Sequence, residues 1–497
     1  MLPPGVSLLS ACLKRDGHSI RLFDTTSYDS VTINGVEDSI DADVDKSDRL
    51  NVRPAPPHPK VHLKFTNVYE DFRKEVLEFQ PDLIALSVTE DMFHLGIALL
   101  KHIDDLEILT IAGGVFPTFA PKLVLSYDSI DIVCKGEGEE ALAELCRRLE
   151  DGKPYDNIDN LWLKTRTGEI VSNPTRMIDM DANPLIDVGL FEESRFYRPM
   201  GGTVYRMFPV ETYRGCPYKC AYCNSPSQMA LYKSEQGQSF LRRKSMEKMR
   251  EELLFYKNDM KAEFLYFWAD TFFSWSKDDL AQFQELYQEI KLPFWCQTRP
   301  ETITSKRIEQ LVSMGCQRIS LGVEHGNAEF RQKYLARRMS NDLIVNGMKL
   351  LNDAGISYSV NNIMGFPHET REIAFDTIRL NTLFKASDRN CYPFTPFSGT
   401  PLRKVCEELD LVRPTDIVQS MSVHGSVLDM PQFRRDEVNG LCKTFNLYVN
   451  FPESRWGEIQ KAESNTAAGE KIFSKLKDEF VDRFWEQQGD SADLRNH

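Results

Sequence analysis

Between Met207 and Phe394 the chain alternates short apolar runs with amphipathic segments, and this alternation restricts the fold more than any other feature. Apolar, β-branched and aromatic runs bounded by turn signals read as strands, and 3.6-residue periodicity between them reads as helix. Strands are expected at Phe208–Thr212, Phe264–Trp268, Phe294–Gln297, Arg318–Val323, Ser357–Ile363 and near Asn390–Phe394. Helices are expected between them at Ser245–Lys257, Lys277–Ile290, Ser305–Met314, Asn341–Ala354 and Glu369–Phe384. Such a repeat builds a parallel α/β sheet, because parallel neighbours need a crossover and a helix supplies it.

The first of these strands delivers Cys216, Cys220 and Cys223 in the run Tyr-Arg-Gly-Cys-Pro-Tyr-Lys-Cys-Ala-Tyr-Cys-Asn. Three thiolates at C-x3-C-x2-C spacing can hold three corners of a [4Fe–4S] cluster and leave one iron open to bind and reduce a small molecule. A structural zinc site is the alternative, but it wants a fourth ligand at a recognisable spacing, and no second C-x2-C or nearby H-x3-H provides one. Cys296 and Cys316 read as buried small hydrophobes. Eleven cysteines in 497 residues, without an amino-terminal signal peptide, do not read as a disulfide framework.

The ends of the later strands carry their own chemistry. Ala269-Asp270-Thr271-Phe272 follows the second strand, Thr298-Arg299-Pro300 the third, and Gly322-Val323-Glu324-His325-Gly326 the fourth. Gly365-Phe366-Pro367-His368-Glu369-Thr370 follows the fifth, and Pro396-Phe397-Ser398-Gly399-Thr400-Pro401-Leu402 the sixth. Each alone is explained by turn chemistry or a buried ion pair. Their order after the cysteine loop resembles radical S-adenosylmethionine (radical SAM) enzymes. The resemblance implies a partial (β/α)6 barrel in which the open iron of the cluster binds SAM and its reductive cleavage releases a 5′-deoxyadenosyl radical. It places Tyr222 by the adenine, Asp270 near the SAM amino group, Arg299 towards the carboxylate, and Glu324 and Gly365 in the SAM site. His325 stands where the family usually has a small hydroxyl residue, and the Gly-Gly-Glu run common after the second strand is replaced around Asp270.

Residues 1–150 also alternate helix and strand. Helix Val6–Arg15 ends at Asp16-Gly17, and strand Ser19–Phe23 follows. Helix Tyr69–Phe79, a buried strand Leu83–Ser87, helix Leu95–Ile103, strands Ile108–Ala112 and Ile130–Cys134, and helix Glu139–Leu149 complete the unit. Ligands of such sheets bind at the carboxyl ends of the strands. Those ends hold Ser87-Val88-Thr89, Gly113-Gly114 and Lys135-Gly136-Glu137-Gly138-Glu139. In this order they resemble the cobalamin-binding domain that precedes the barrel in one large radical SAM class, which makes Ser87, Val88, Thr89, Gly113, Gly114, Gly136 and Glu137 the expected cobalamin contacts. Two departures stand out: the family's first strand has no counterpart, and the D-x-H-x-x-G loop carrying a cobalt-ligating histidine is absent. His18 reads as an exposed turn residue and His94 as a helix-start residue.

The organisation expected is therefore a flavodoxin-like, Rossmann-type domain over 1–150 lacking its first strand, a linker with a hairpin over 151–205, the barrel over 206–405, and a helical region over 406–497. Asp29–Lys60 reads as a polar loop. A net charge of −14 does not suggest nucleic acid as a partner, and no apolar run is long enough for a membrane span, so a cytoplasmic location is expected. The resemblance implies a cobalamin-dependent C-methyltransferase with a [4Fe–4S] cluster, SAM and cobalamin as cofactors, and an electron donor such as flavodoxin or ferredoxin. A radical cyclase, oxidase or rearrangement enzyme is the second reading, and a non-catalytic zinc-binding protein the third. A methylthiotransferase is disfavoured because the amino-terminal part lacks a second three-cysteine set.

Overall fold

The computed structural model describes residues 2–28, 49–51, 53–54, 58–165, 167–419 and 425–486, so most of the Asp29–Lys60 loop lies outside the described residues. The amino-terminal part is built from α1 (Pro4–Arg15), α2 (Val68–Phe79), β1 (Leu83–Ser87), α3 (Phe93–Lys101), β2 (Leu109–Gly113), β3 (Ile132–Cys134) and α4 (Glu139–Glu150). Its helix starts are locally encoded. Asn67 Oδ1 accepts hydrogen bonds from the Tyr69 and Glu70 amides, and Glu70 and Asp71 add negative charge to the same first turn of α2.

β1, β2 and β3 pair in parallel, and the sheet then continues antiparallel into β4 (Leu161–Lys164) and β5 (Ile170–Ser172). The hairpin read as part of the linker thus extends this sheet. Two other expectations need correction. Among the described residues Ser19–Phe23 belongs to no strand, and β1, expected to be buried, is the edge of the sheet with Ala85 and Ser87 exposed. Among the described residues no strand pairs with the outer edge of β1 or with Ser19–Phe23.

The second sheet has the order β14-β13-β12-β11-β10-β7-β6. β7 (Thr203–Val210), β10 (Phe264–Phe267), β11 (Phe294–Thr298), β12 (Cys316–Glu324), β13 (Ser357–Met364) and β14 (Asp388–Pro393) are all parallel, and β6 (Tyr197–Met200) closes one edge as an antiparallel strand. This is a partial (β/α)6 barrel. Its crossover helices are α6 (Met246–Leu254), α7 (Lys277–Ile290), α8 (Ser305–Met314), α10 (Asn341–Asp353) and α11 (Arg371–Thr382), with α5 (Ser225–Gln236) and α9 (Ala328–Tyr334) added at strand ends. Phe267, Phe272, Phe283, Tyr287 and Phe294 form an edge-to-face cluster between sheet and helices.

The carboxy-terminal region is helical: α12 (Pro401–Glu408), α13 (Arg435–Asn450), α14 (Trp456–Ala462) and α15 (Ala467–Phe480). α13 packs on α11 and β14, burying Val438, Leu441, Phe445 and Leu447 in the core that holds Met364 and Phe394. The region therefore closes the far side of the barrel. Among the described residues no helix is long and apolar enough to cross a membrane.

Candidate active site

The cysteine loop leaves β7 through a two-residue ladder, β8 (Tyr213–Arg214) against β9 (Arg242–Arg243). Cys220 is buried, while Cys216 and Cys223 are half-buried, and all three are free thiols. Arg299 Nη1 lies 2.8 Å from Cys220 Sγ and Arg337 Nη1 3.7 Å from it. The Ser225 amide donates to Cys223 Sγ at 3.4 Å. Burial pushes the Cys216 thiol up to about 12 and raises Cys223 as well. Guanidinium and amide donors aimed at sulfur suit thiolates that carry iron, since a ligating cysteine is deprotonated and its hydrogen bonds tune the metal. Among the described residues no group of three or more His, Cys, Asp or Glu side chains is gathered tightly enough to hold one metal ion. A cubane instead takes one thiolate on each of three irons.

The strand-end residues gather around this loop. Arg299, at the end of β11, stacks its guanidinium 3.8 Å from the Tyr218 ring centroid and donates through Nε to Glu301 at 2.6 Å. Glu324 ends β12 with a left-handed backbone, φ 68°, where the β12–β13 register shifts. Its carboxylate lies 3.8 Å from Arg337, and burial raises its pKa against that guanidinium. Arg337 also donates to Tyr222 Oη at 2.8 Å and to the Gly322 carbonyl, so one side chain joins the cysteine loop to the end of β12. No motif in the sequence pointed to Arg337. It is a loop arginine, 2% exposed, whose partners stand far away in the chain.

Asp270 follows β10, faces the cavity described below, and accepts from Ser225 Oγ at 2.9 Å. Protein packed around its other sides raises its pKa by desolvation. Gly365 follows β13 with φ 83°, and a Cβ there would press to 2.8 Å from Val438, so the position requires glycine. The Glu369 carboxylate takes hydrogen bonds from the Gly365 and Phe366 amides at 2.6 and 2.9 Å. His325 Nδ1 accepts from the Asn327 amide, which leaves Nε2 to donate to Glu369 at 3.0 Å.

A cavity of about 1510 Å³ runs from inside the amino-terminal domain to the barrel mouth. Ser87, Gly113, Gly114, Gly136 and Glu137 line it on one side, and Gly215, Gln228, Trp268 and Asp270 on the other. Thr89 is exposed beyond it, and Val88 is buried in the core. The Glu137 carboxylate is drawn to Arg214 and Arg242, and Gly136 sits so close to Tyr232 of α5 that a Cβ would meet its hydroxyl at 2.4 Å. A second pin lies at Glu90, which accepts from the Ser398 amide at 2.7 Å and the Val418 amide at 3.1 Å. His18 is half-buried on the cavity wall, and His94 is exposed on the first turn of α3. Glycine-bearing strand ends face Gly215, at the start of the cysteine loop, across a cavity with the room a corrinoid would need, while Cys216, Cys220 and Cys223 do not line it.

Comparison with known proteins matches two separate stretches of the chain. The radical SAM superfamily profile matches residues 210–380, and the B12 binding domain profile matches residues 50–146. An uncharacterized methyltransferase, PH0819 of Pyrococcus horikoshii, is 24% identical over 77% of this chain and 81% of its own length. The anaerobic magnesium-protoporphyrin IX monomethyl ester cyclase of Cereibacter sphaeroides is 24% identical over 67% of this chain and 54% of its own length. Among solved structures, the radical S-adenosylmethionine methyltransferase TsrM of Kitasatospora setae, with cobalamin and a [4Fe-4S] cluster bound, superposes with a TM-score of 0.62. That match has 14% identity and covers 97% of both chains, so it speaks to the fold.

Proposed function

Because the chain belongs to the cobalamin-binding-domain-containing family of radical SAM enzymes, we propose that it is a methyltransferase acting on an unactivated carbon. Its cofactors are a [4Fe–4S] cluster, SAM and cobalamin. The observation that carries the proposal is the single cavity shared by the strand ends of the two domains. When bound, the cluster supplies one electron to SAM and cobalamin supplies a methyl carrier, the chemistry that side chains cannot perform.

The chain's own residues bind and orient. Cys216, Cys220 and Cys223 hold the cluster, with Arg299 and Arg337 donating to the Cys220 sulfur. Tyr222, Asp270, Arg299, Glu324 and Gly365 surround SAM, whose amino group Asp270 or Glu324 can pair and whose carboxylate Arg299 can meet as a fork. Ser87, Gly113, Gly114 and Gly136 give the corrinoid close backbone approach on the opposite wall. Glu137 and Glu90 clamp that wall to the barrel, which fixes the distance between the cofactors and holds a substrate between them. An external one-electron donor, such as flavodoxin or ferredoxin, reduces the cluster.

A radical cyclase is the second reading, favoured by the likeness to the magnesium-protoporphyrin ester cyclase. The two readings predict different products from SAM. A methyltransferase of this kind consumes two SAM per turnover and yields 5′-deoxyadenosine together with S-adenosylhomocysteine. A cyclase yields 5′-deoxyadenosine without S-adenosylhomocysteine. Anaerobic turnover with methyl-deuterated SAM and candidate substrates, followed by mass spectrometry of both nucleosides and of the product, separates them. Absence of label from a product formed with deoxyadenosine would remove methyl transfer.

A further inference from the structure

Arg337 stands between the cysteine loop and the end of β12, and one of its nitrogens has fewer N–H groups than acceptors. Nη2 donates to the Gly322 carbonyl, and Nη1 gives one N–H to Tyr222 Oη at 2.8 Å. The second N–H of Nη1 is divided between Cys220 Sγ at 3.7 Å and a Glu324 carboxylate oxygen at 3.8 Å, and it reaches neither at close range. Nε is buried without an acceptor among the described residues, so the terminal nitrogens alone place the side chain.

Little solvent reaches this corner: Cys220 is 9% exposed, Glu324 8% and Arg337 2%. Water there neither screens the divided N–H nor replaces it, so what one acceptor gains the other loses. Glu324 is held in place for this competition. Its backbone is left-handed, and its carboxylate folds over Gly322 so closely that a Cβ at that position would collide with Oε1. Cys220 already has one settled donor, Arg299 Nη1 at 2.8 Å, which leaves Arg337 as the variable donor to the same sulfur. Hydrogen bonds to its sulfurs and nearby charge set the potential of an iron–sulfur cluster. Reduction adds negative charge, so a cation drawn closer to a ligating sulfur favours the reduced form.

We propose that Arg337 is a positioning residue that links ligand occupancy at Glu324 to the cluster: an ammonium-bearing ligand paired with Glu324 releases the divided N–H to the Cys220 sulfur and makes the cluster easier to reduce. Electron uptake is then favoured in the loaded site, and the idle cluster is held harder to reduce. The electron still comes from the external one-electron donor, and no covalent bond to Arg337 forms or breaks. The inference rests on the proposed function for the cluster at Cys220 and for SAM as the ligand, and it adds a route between them through this chain's own side chains.

The test poises the reconstituted full chain at fixed potentials and reads the reduced cluster by electron paramagnetic resonance. It is run with and without saturating S-adenosylhomocysteine, which keeps the amino group of SAM but has no sulfonium to cleave. In the unaltered chain the ligand is expected to raise the reduced-to-oxidised ratio about tenfold, about 59 mV for one electron. Glu324→Gln should give most of that rise without ligand, because the divided N–H loses its charged competitor. Arg337→Gln and Arg337→Lys should lower the ratio of the free protein while iron content stays that of the unaltered chain. The double variant separates a hydrogen bond from the bare field of the carboxylate: once Arg337 is replaced by Gln, Glu324→Gln should no longer change the ratio. A ratio unmoved by Arg337→Gln in protein that keeps its iron, or a Glu324→Gln rise of equal size with and without Arg337, would overturn the proposal. If both Arg337 variants lose their iron, equal ratios in the unaltered chain and Glu324→Gln still overturn it. An unaltered chain that assembles no cluster would instead overturn the proposed function, and this inference with it.

Discussion

Arg214, two residues before Cys216, is gripped by Glu137 of the amino-terminal domain at 2.5 Å. Its other nitrogens reach Glu139 at 2.6 Å and Glu211 at 3.1 Å. The same arginine therefore joins the start of the cysteine loop to the amino-terminal domain. Neutralising Glu137 leaves Arg214 its pairs with Glu139 and Glu211 but takes away the carboxylate it shares with Arg242. We expect Glu137→Gln to lower the melting temperature and to reduce iron retained after reconstitution, both measured against the unaltered chain. Unchanged iron content would separate the clamp from the loop.

The same network predicts an acid sensitivity. Burial works to raise the Glu211 carboxyl, but Arg214, Lys244 and Arg242 together hold it below its ordinary value. A depressed carboxylate stabilises the fold above its unfolded pKa of about 4.3, and that contribution fades as pH falls through the lower folded value. Glu211→Gln should therefore melt well below the unaltered chain at pH 7, and the gap should close below about pH 4. Melting curves of both proteins across this range check the prediction.

Arg299 makes three different contacts at once, with the Tyr218 ring, the Glu301 carboxylate and the Cys220 sulfur. Lysine keeps the charge but loses the plane and the fork. Arg299→Lys should assemble a cluster and bind SAM about tenfold more weakly, a loss near 1.4 kcal/mol. Titration of SAM against the electron paramagnetic resonance signal of the reduced cluster measures it.

Glu369 and His325 are both fully buried and join the ends of β12 and β13. Glu369→Ala leaves the Gly365 and Phe366 amides and His325 Nε2 without their acceptor, at a cost of about 2 kcal/mol or more. We expect Glu369→Ala to destabilise the protein and weaken SAM binding. Glu369→Gln, which retains an acceptor oxygen, should recover part of both. Calorimetry and SAM titration of the pair of variants read the difference.

Much of this architecture is legible in the residues because barrel chemistry sits in short runs directly after strands. The loop bearing Cys216, Cys220 and Cys223, and the turns at Glu324 and Gly365, each carry their signal within a few positions. Arg337 does not: its partners Tyr222 and Cys220 are brought to it by the closure of the sheet, and no local pattern marks a loop arginine for burial. Ser19–Phe23 failed in the other direction. Its apolar alternation is that of a strand, but strand pairing depends on a neighbour, and among the described residues none pairs with it. Glu137 was legible as a strand-end residue, while its grip on Arg214 needed the approach of two domains.

The proposed function requires one chain to hold a SAM-cleaving cluster and a corrinoid together. The most direct measurement is anaerobic reconstitution with iron, sulfide and cobalamin, followed by metal analysis, optical spectra and assay of 5′-deoxyadenosine after adding SAM and reductant. The account predicts about four irons and one corrinoid per chain, with deoxyadenosine formed by the unaltered protein and lost on replacing Cys216, Cys220 and Cys223 with alanine. A protein that gains no iron–sulfur absorption and releases no deoxyadenosine, or that cleaves SAM without retaining any corrinoid, would contradict it.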